Sequence, residues 1–179
     1  MRQRRRPKER RAAARKCLAA VMLAVLLLTL LAGTVLRACA GTAEKSFLFP
    51  LETTAWRVSD PYGWRKDPFT GKDTFHQGVD LACAEGTTVR AVLDGVVTTA
   101  RRSATYGNYL CISHPDGQET IYAHMQYLYV RAGEVVRAGE YIGTTGQTGR
   151  ATGAHLHLEG LVEGTRYDPA IALALQNET

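Results

Sequence analysis

The 179-residue chain lacks three features by which many metal and catalytic sites are recognised. It contains no HExxH pair, so no helix offers two histidine ligands with a glutamate base between them. None of its four cysteines stands at the short spacing of a structural zinc site. After residue 41, the one helical pattern is the short segment 169–175. These absences exclude a helix-borne zinc site, a cysteine-rich zinc site and a helical domain.

The few cysteines leave one question of redox state open. Cys17 and Cys39 flank an apolar segment, so only Cys83 and Cys111 belong to the rest of the chain. A disulfide between these two is chemically allowed outside the cytoplasm. Two buried free thiols fit equally well, because the sequence does not show the Cα separation that a bridge requires.

Positive charge is concentrated at the beginning of the chain. Residues 1–16 hold nine of the 22 Lys and Arg residues, whereas the chain from Gly41 onward has 12 basic and 16 acidic residues. A basic arm can bind nucleic acid, but the 20 residues 17–36, CLAAVMLAVLLLTLLAGTVL, follow it without a charge. A basic flank beside an apolar stretch of this length is typical of a membrane span with a cytoplasmic arm. We therefore expect a transmembrane helix at 17–36 and no nucleic-acid partner.

The same segment is compatible with a cleaved export signal. Ala38-Cys39-Ala40 matches a small-x-small cleavage rule, but the apolar run exceeds the roughly 7–15 residues of a signal core. Lipidation at Cys39 is a further alternative, which Arg37 disfavours. We expect an uncleaved single-pass anchor with the rest of the chain outside the membrane, and secretion if the segment is cleaved. The predicted organisation continues with a linker at 37–58, one domain at 59–171 and a tail at 172–179.

Short apolar runs separated by turn signals predict an all-β domain of antiparallel strands. Asp94-Gly95 is expected to form a hairpin turn between VRAVL and VVTTA. Residues 115–118, PDGQ, are expected to connect a second hairpin. The repeat VRAGEV and VRAGEY at 130–141 predicts two equivalent strand–turn units.

Four of the five histidines lie on the polar face of a predicted strand. In the stretch TGRATGAHLHLEG (148–160), alternation places His155, His157 and Glu159 opposite Leu156 and Leu158. Two imidazoles on one face of a rigid strand are suited to binding a metal or to acid–base chemistry.

Two other segments repeat this pattern. In HQGVD, alternation puts His76, Gly78 and Asp80 on one face, with the glycine leaving room for an ion between imidazole and carboxylate. In TIYAHM, His124 shares a face with Thr120 and Tyr122 and points away from the core. The fifth histidine, His114, precedes a turn and is expected to be structural.

Histidine and aspartate ligands without cysteine favour a catalytic Zn²⁺. Three protein ligands leave a position for water, whose pKa the metal lowers. Four histidines and one aspartate are enough for three ligands and two groups that act as base or stabilise an oxyanion. Spacing alone does not show which of His155 and His157 binds the metal.

Three motifs in this order resemble the lysostaphin/LytM-type zinc endopeptidases, which cut the peptides of bacterial cell-wall peptidoglycan. They are HQGVDLACAEGTTVRAVLDGVV, YGNYLCISHPDGQETIYAHM and VRAGEYIGTTGQTGRATGAHLHLEG. The resemblance runs from about Asp60 to Pro169. It implies a compact antiparallel, barrel-like β-sheet domain with a groove over the sheet, one Zn²⁺ per domain, and a membrane-tethered hydrolase facing the bacterial wall.

The resemblance also implies a role for each polar residue. The zinc ligands are His76, Asp80 and His157, and the catalytic helpers are His124 and His155. Glu159 is either an acceptor for a ligand imidazole or simply exposed. The groove is expected to be walled by Tyr62, Trp64, Phe69, Tyr106 and Asn108.

An exported scaffold or activator is the alternative function. Some relatives have lost ligands and serve in that way, whereas this chain keeps the full set. The sequence shows no obvious wall-binding module, which leaves the scaffold hypothesis open.

Overall fold

A computed structural model describes Met22 and residues 47–175. The predicted arm at 1–16 and, except for Met22, the predicted span at 17–36 lie outside the described residues. Among the residues that are described, none belongs to a helix with the length and apolar character that crossing a membrane requires.

Short β-strands make up about half of the described chain. They are β1 (Arg57–Asp60), β2 (Gly63–Lys66), β3 (Asp73–His76), β4 (Val79–Ala82), β5 (Thr88–Arg90), β6 (Gly95–Ser103), β7 (Gly107–Ser113), β8 (Gln118–Leu128), β9 (Val135–Val136), β10 (Tyr141–Thr145), β11 (His155–Val162) and β12 (Thr165–Tyr167). A 3₁₀ turn at Pro115–Gly117 and a one-turn helix, α1, at Pro169–Ala172 complete the elements.

Ten of these strands form one antiparallel sheet in the order β1-β4-β11-β8-β7-β6-β9. The sheet branches, because β10 pairs with both β8 and β5, and β12 pairs with β11. Strands β2 and β3 form a separate hairpin. The prediction of an all-β antiparallel domain is confirmed.

The central strands bury one face in the main core. Leu81 of β4, Leu156 and Leu158 of β11, and Tyr122 of β8 are completely buried there. The Tyr122 hydroxyl accepts a hydrogen bond from the Val92 backbone N–H at 2.9 Å, so the phenol is satisfied inside the core. The opposite face of β4 and β11 is therefore left to polar side chains.

The two predicted hairpins have different outcomes. Strands β7 and β8 pair across the turn at Pro115–Gly117, as predicted. The predicted hairpin around Asp94-Gly95 is wrong, because β5 pairs with β10 whereas β6 pairs with β7 and β9. The apolar run after β5 enters the core instead, where Val92 is fully buried.

The VRAGE repeat forms two equivalent turns, as predicted. In the first, Glu134 accepts from the Arg131 N–H at 3.1 Å, and in the second Glu140 accepts from the Arg137 N–H at 2.9 Å. Each turn also has a glycine with positive φ, 94° in the first and 83° in the second. The repeated glycine is required there because other residues rarely adopt this conformation.

Part of the predicted linker belongs to the folded unit. Phe47 and Leu51 are buried in the main core, although the sequence places both in the segment 37–58. The Phe47 N–H donates to the Ala172 carbonyl at 3.0 Å, which connects this segment to α1. The question of the disulfide is also answered, since Cys83 and Cys111 are both free thiols.

Candidate metal centre and active site

The strand register brings the polar residues of separate motifs together. His157 on β11 lies directly opposite Asp80 on β4, and on its other side opposite Ala123 on β8. His155 lies opposite Ala82, two residues further along β4. Because cross-strand neighbours share a face of the sheet, these side chains all point away from the main core.

His76 reaches the same place from the end of the β2–β3 hairpin. The chain then passes through Gly78, where an added Cβ would lie 2.4 Å from the Leu158 carbonyl oxygen and 2.8 Å from Cε1 of the His157 ring. The glycine is therefore needed for close approach of this segment to β11. The alternation in HQGVD predicts that Gly78 leaves room for an ion, but the His157 ring takes that space.

Three possible ligand atoms converge. His76 Nε2 lies 3.1 Å from His157 Nδ1 and 3.3 Å from Asp80 Oδ1, and His157 Nδ1 lies 2.7 Å from Asp80 Oδ1. A tetrahedral zinc site with bonds of about 2.0–2.1 Å requires ligand atoms roughly 3.3 Å apart. The predicted ligand set His76, Asp80 and His157 thus forms a cluster of suitable size.

Hydrogen bonds to the other ring nitrogens decide which atoms are free to bind a cation. His76 Nδ1 lies 2.9 Å from the Pro61 carbonyl, and His157 Nε2 lies 3.2 Å from the Glu159 carboxylate. Since both partners can only accept, these two nitrogens are the donors, and the opposite nitrogens are the ones that bind a metal once they carry no proton. Two imidazole nitrogens and a carboxylate that converge in this way form an arrangement that a metal cation satisfies in place of a proton.

The electrostatics of the cluster agree with this assignment. Burial alone would raise the pKa of Asp80, but hydrogen bonds with His157 and His76 outweigh it and hold the pKa well below its usual range. Burial would lower the pKa of His157, but hydrogen bonds to Asp80 and Glu159 outweigh it and raise that pKa. The pocket therefore favours positive charge at this point, and its donor set fits Zn²⁺.

The other two predicted residues, His155 and His124, lie beside the cluster with ring centroids 4.7 Å apart. His155 Nδ1 donates to the Gly153 carbonyl and His124 Nδ1 donates to the Thr148 carbonyl, each at 2.8 Å. Both rings consequently keep Nε2 as an acceptor. Burial, chiefly, lowers the pKa of His124 to about 4, so this imidazole is neutral at neutral pH.

His124 reaches the groove by an irregularity that alternation did not predict. Thr120 and Tyr122 are fully buried, and Tyr122 belongs to the main core, so the predicted shared polar face is wrong. His124 has a left-handed backbone with φ 60°, which turns its side chain to the face that Ala123 occupies. A non-glycine residue in this conformation costs about 1–2 kcal/mol, and such strain is frequent at functional sites.

Glu159 is buried behind the predicted ligand His157, and its carboxylate accepts hydrogen bonds from three donors. Its Oε1 accepts from the Tyr106 hydroxyl at 2.6 Å and from His157 Nε2, and its Oε2 accepts from Arg166 Nε at 2.6 Å. Of the two alternatives that the sequence left open, the acceptor role is the one observed. Arg166, on the short strand β12, was missed because no motif surrounds it.

A groove of about 550 Å³ runs over the cluster. Of the five residues expected to wall it, Phe69 and Tyr106 do so, whereas Tyr62, Trp64 and Asn108 do not. Arg150, also missed from the sequence, stacks on Phe69 with its guanidinium carbon 4.4 Å from the ring centroid.

His114 is structural, as predicted. Its Nδ1 donates to the Asp94 carbonyl at 2.9 Å, and its Nε2 accepts from the Thr120 hydroxyl at 2.7 Å. Both ring nitrogens are therefore occupied within the protein, away from the groove.

An antiparallel β-sheet domain with a His–Asp–His cluster beside two further imidazoles defines the class of sheet-based metallopeptidases. The model described as Peptidase family M23 matches residues 74–169, more than half of the chain. The chain belongs to this family, and the resemblance to the lysostaphin/LytM-type peptidases is confirmed.

Individual proteins show the same likeness. The DD-carboxypeptidase/endopeptidase Mpg of Neisseria meningitidis serogroup B is 44% identical over 119 residues, which cover 66% of this chain and 27% of that protein. A zinc containing peptidase from Vibrio cholerae aligns with a TM-score of 0.65 and 35% identity, over 69% of this chain and 39% of that one. The catalytic domain of lysostaphin from Staphylococcus simulans aligns with a TM-score of 0.61 and 30% identity, over 66% of this chain and 92% of that domain.

The alignment with the curated relative Mpg thus spans about a quarter of that relative's length, 27%. What the chain shares with it is the domain that holds the His–Asp–His cluster.

Proposed function

We propose that this chain is a zinc metalloendopeptidase that hydrolyses peptide bonds of bacterial peptidoglycan. The observation that carries the proposal is the convergence of His76 Nε2, Asp80 Oδ1 and His157 Nδ1 beside the imidazoles of His124 and His155. Family membership and the similarity to a DD-carboxypeptidase/endopeptidase and to lysostaphin support the substrate class.

Three side chains would hold the metal: His76, Asp80 and His157. When bound, Zn²⁺ supplies a Lewis acid that polarises the scissile carbonyl and acidifies a water molecule. The protein supplies the proton acceptors, because His155 and His124 each use Nδ1 for a backbone carbonyl and keep Nε2 for the groove.

The two helpers are not equivalent. His155 Nε2 lies 3.6 Å from Asp80 Oδ2, so a positive charge on this ring is stabilised by a carboxylate. Burial opposes a positive charge on His124. We therefore assign the general-base role to His155, which accepts the proton of the attacking water and returns it to the leaving amine. The oxyanion role expected for a helper does not fit His124, because its Nδ1 proton is donated to the Thr148 carbonyl and its Nε2 can only accept a hydrogen bond, such as one from the attacking water.

Digestion of purified peptidoglycan by the full-length chain tests this function. Mass spectrometry should detect peptide fragments whose release stops on addition of a chelator and resumes on addition of zinc. The His155→Ala variant serves as the control for contaminating hydrolases and should release none.

The scaffold alternative makes the opposite prediction for the same experiment. A full-length chain that binds zinc and wall material but releases no fragment would favour a scaffold or activator. The complete ligand set and the two neighbouring imidazoles support hydrolysis instead.

We further propose that residues 17–36 anchor the chain in the bacterial cytoplasmic membrane, with the domain on the wall side. The support is the charge asymmetry, in which nine basic residues precede an uncharged apolar segment. The full-length chain should stay in the membrane pellet after alkaline carbonate washing, and a variant lacking residues 1–36 should not. Release of the full-length chain by carbonate, or a shortened chain in the medium, would contradict the anchor.

A further inference from the structure

Three arginines line the groove, and two are already paired with aspartates. Arg65 Nε lies 2.8 Å from Asp60 Oδ2, and Arg150 Nη2 lies 2.8 Å from Asp67 Oδ1. The third, Arg57, is exposed and forms no ion pair with any residue in the range 47–175. Within the described chain, it is the arginine of the groove whose guanidinium is available to a ligand.

The register of the sheet places Arg57 in line with the catalytic imidazole. Arg57 on β1 lies opposite Ala82 on β4, and Ala82 lies opposite His155 on β11. Neighbouring strands are about 4.8 Å apart, so the backbones of Arg57 and His155 are separated by roughly 10 Å along one row. Ala82 lies between them and has only a methyl side chain. The space above Ala82 can therefore accommodate the long side chain of Arg57.

A bulge in β1 produces this placement. The register shifts between Val58 and Asp60, so that Asp60 pairs with Asp80 although Arg57 pairs with Ala82. Without the extra residue, Arg57 and Asp60 would face opposite sides of the strand. The bulge therefore brings both to the groove, where Asp60 is neutralised by Arg65 and Arg57 is not paired.

The distance suits a group close to the scissile bond. An extended peptide advances about 3.3 Å per residue, so the separation of roughly 10 Å between the backbones of His155 and Arg57 corresponds to at most about three substrate residues. The planar guanidinium of an arginine binds a carboxylate through two parallel hydrogen bonds, in a bidentate arrangement.

We infer that Arg57 forms a carboxylate-binding subsite, and that the preferred substrate is a peptide with a free carboxylate within about three residues of the bond that is cut. This inference rests on the proposed function and names the substrate class of that site.

Binding of a matched peptide pair tests the subsite directly. The ligands are acetyl-L-lysyl-D-alanyl-D-alanine and its C-terminal amide, titrated calorimetrically into the zinc-loaded, full-length His155→Ala variant so that neither peptide is consumed. The free acid should bind about tenfold more tightly than the amide, as expected for one charge-assisted pair. Adding Arg57→Gln should reduce this preference to less than about twofold, and Arg57→Lys should keep part of it.

Arg131→Gln is the matched control, because Arg131 is an exposed arginine on a turn that does not line the groove. It should retain the tenfold preference. Equal binding of acid and amide, undetectable binding of both, or an unchanged preference after Arg57→Gln would each overturn the subsite. Failure of the proposed function has a different signature: His155→Ala binds the acid selectively, but the wild-type chain hydrolyses neither peptide nor peptidoglycan.

Discussion

The Glu159 side chain is almost completely buried, and its carboxylate accepts hydrogen bonds from three donors. A buried carboxylate is stable only when its charge is compensated, and here Tyr106, Arg166 and His157 provide the compensation. The His157 contact fixes Nε2 as the protonated nitrogen and so leaves Nδ1 free for the metal. The carboxylate thus acts on the metal through the imidazole that it orients.

Replacing Glu159 by glutamine should weaken zinc binding. Glutamine keeps the shape but removes the charge that favours the donor state of His157, and loss of such partners usually costs about 10–100-fold in metal affinity. Competition with a chromophoric chelator at fixed pH measures the change. Glu163→Gln, at an exposed turn, is the control. Equal zinc affinity in both variants would show that Glu159 does not position His157.

His114 should make the fold sensitive to acid. Its pKa is lowered by burial, although the hydrogen bond to Asp94 opposes this. The unfolded chain therefore binds the proton more readily, and the stability that neutral His114 contributes is present above pH ~6.5 and lost as the pH falls through the folded-state pKa.

Urea unfolding at pH 7.5 and pH 5.0, with chelator present, tests this sign. The free energy of unfolding should fall less between the two pH values in His114→Gln than in the wild type. An equal fall in both proteins would mean that His114 does not contribute to the acid sensitivity.

At the scale of the elements, the segment between β3 and β4 is packed against β11 too closely for a side chain. Gly78→Ala would place a methyl group within 3 Å of a backbone oxygen and of the His157 ring. The Leu158 carbonyl oxygen cannot move without displacing the backbone of β11. We therefore expect loss of zinc binding and a destabilisation of about 1–3 kcal/mol, as for other overpacked sites.

Gly153→Ala is the matched control for this prediction. An added Cβ at Gly153 meets no atom within 4 Å, and the backbone there does not have the positive φ that favours glycine. Zinc titration and thermal unfolding of the two variants should differ clearly. Gly78→Ala with wild-type zinc affinity would contradict the close packing at the site.

Strand alternation predicted one half of the site correctly and failed on the other. It placed His155, His157 and Glu159 on one face of β11, because that strand is regular and its other face is buried. It misplaced Tyr122, because the left-handed backbone at His124 changes which residues of β8 share a face. The alternation of polar and apolar residues along a strand does not reveal a single residue with a left-handed backbone.

The glycine at position 160, in the middle of strand β11, has a local explanation. An added Cβ there would lie 2.6 Å from the Tyr167 ring. Tyr167 of β12, which pairs with Gly160, thus occupies the space that an apolar side chain at position 160 of β11 would fill.

For the whole molecule, the sequence predicted an all-β antiparallel domain but not the order of its strands. The motifs pointed to His76, Asp80 and His157 as metal ligands, and the structure brings their ligand atoms together. The branched pairing of β10 with β5 and β8 was not predictable, because it joins segments far apart in the chain. For the same reason the Asp94-Gly95 turn was taken for a hairpin.

The central claim is that His157 binds the metal whereas His155 acts on the substrate. Zinc content by mass spectrometry, measured beside peptidoglycan hydrolysis for the wild type, His157→Ala and His155→Ala, tests it most directly. The wild type should contain zinc and be active, His157→Ala should lose both zinc and activity, and His155→Ala should keep zinc and lose activity. Full zinc occupancy in His157→Ala, or loss of zinc in His155→Ala, would contradict this division of roles.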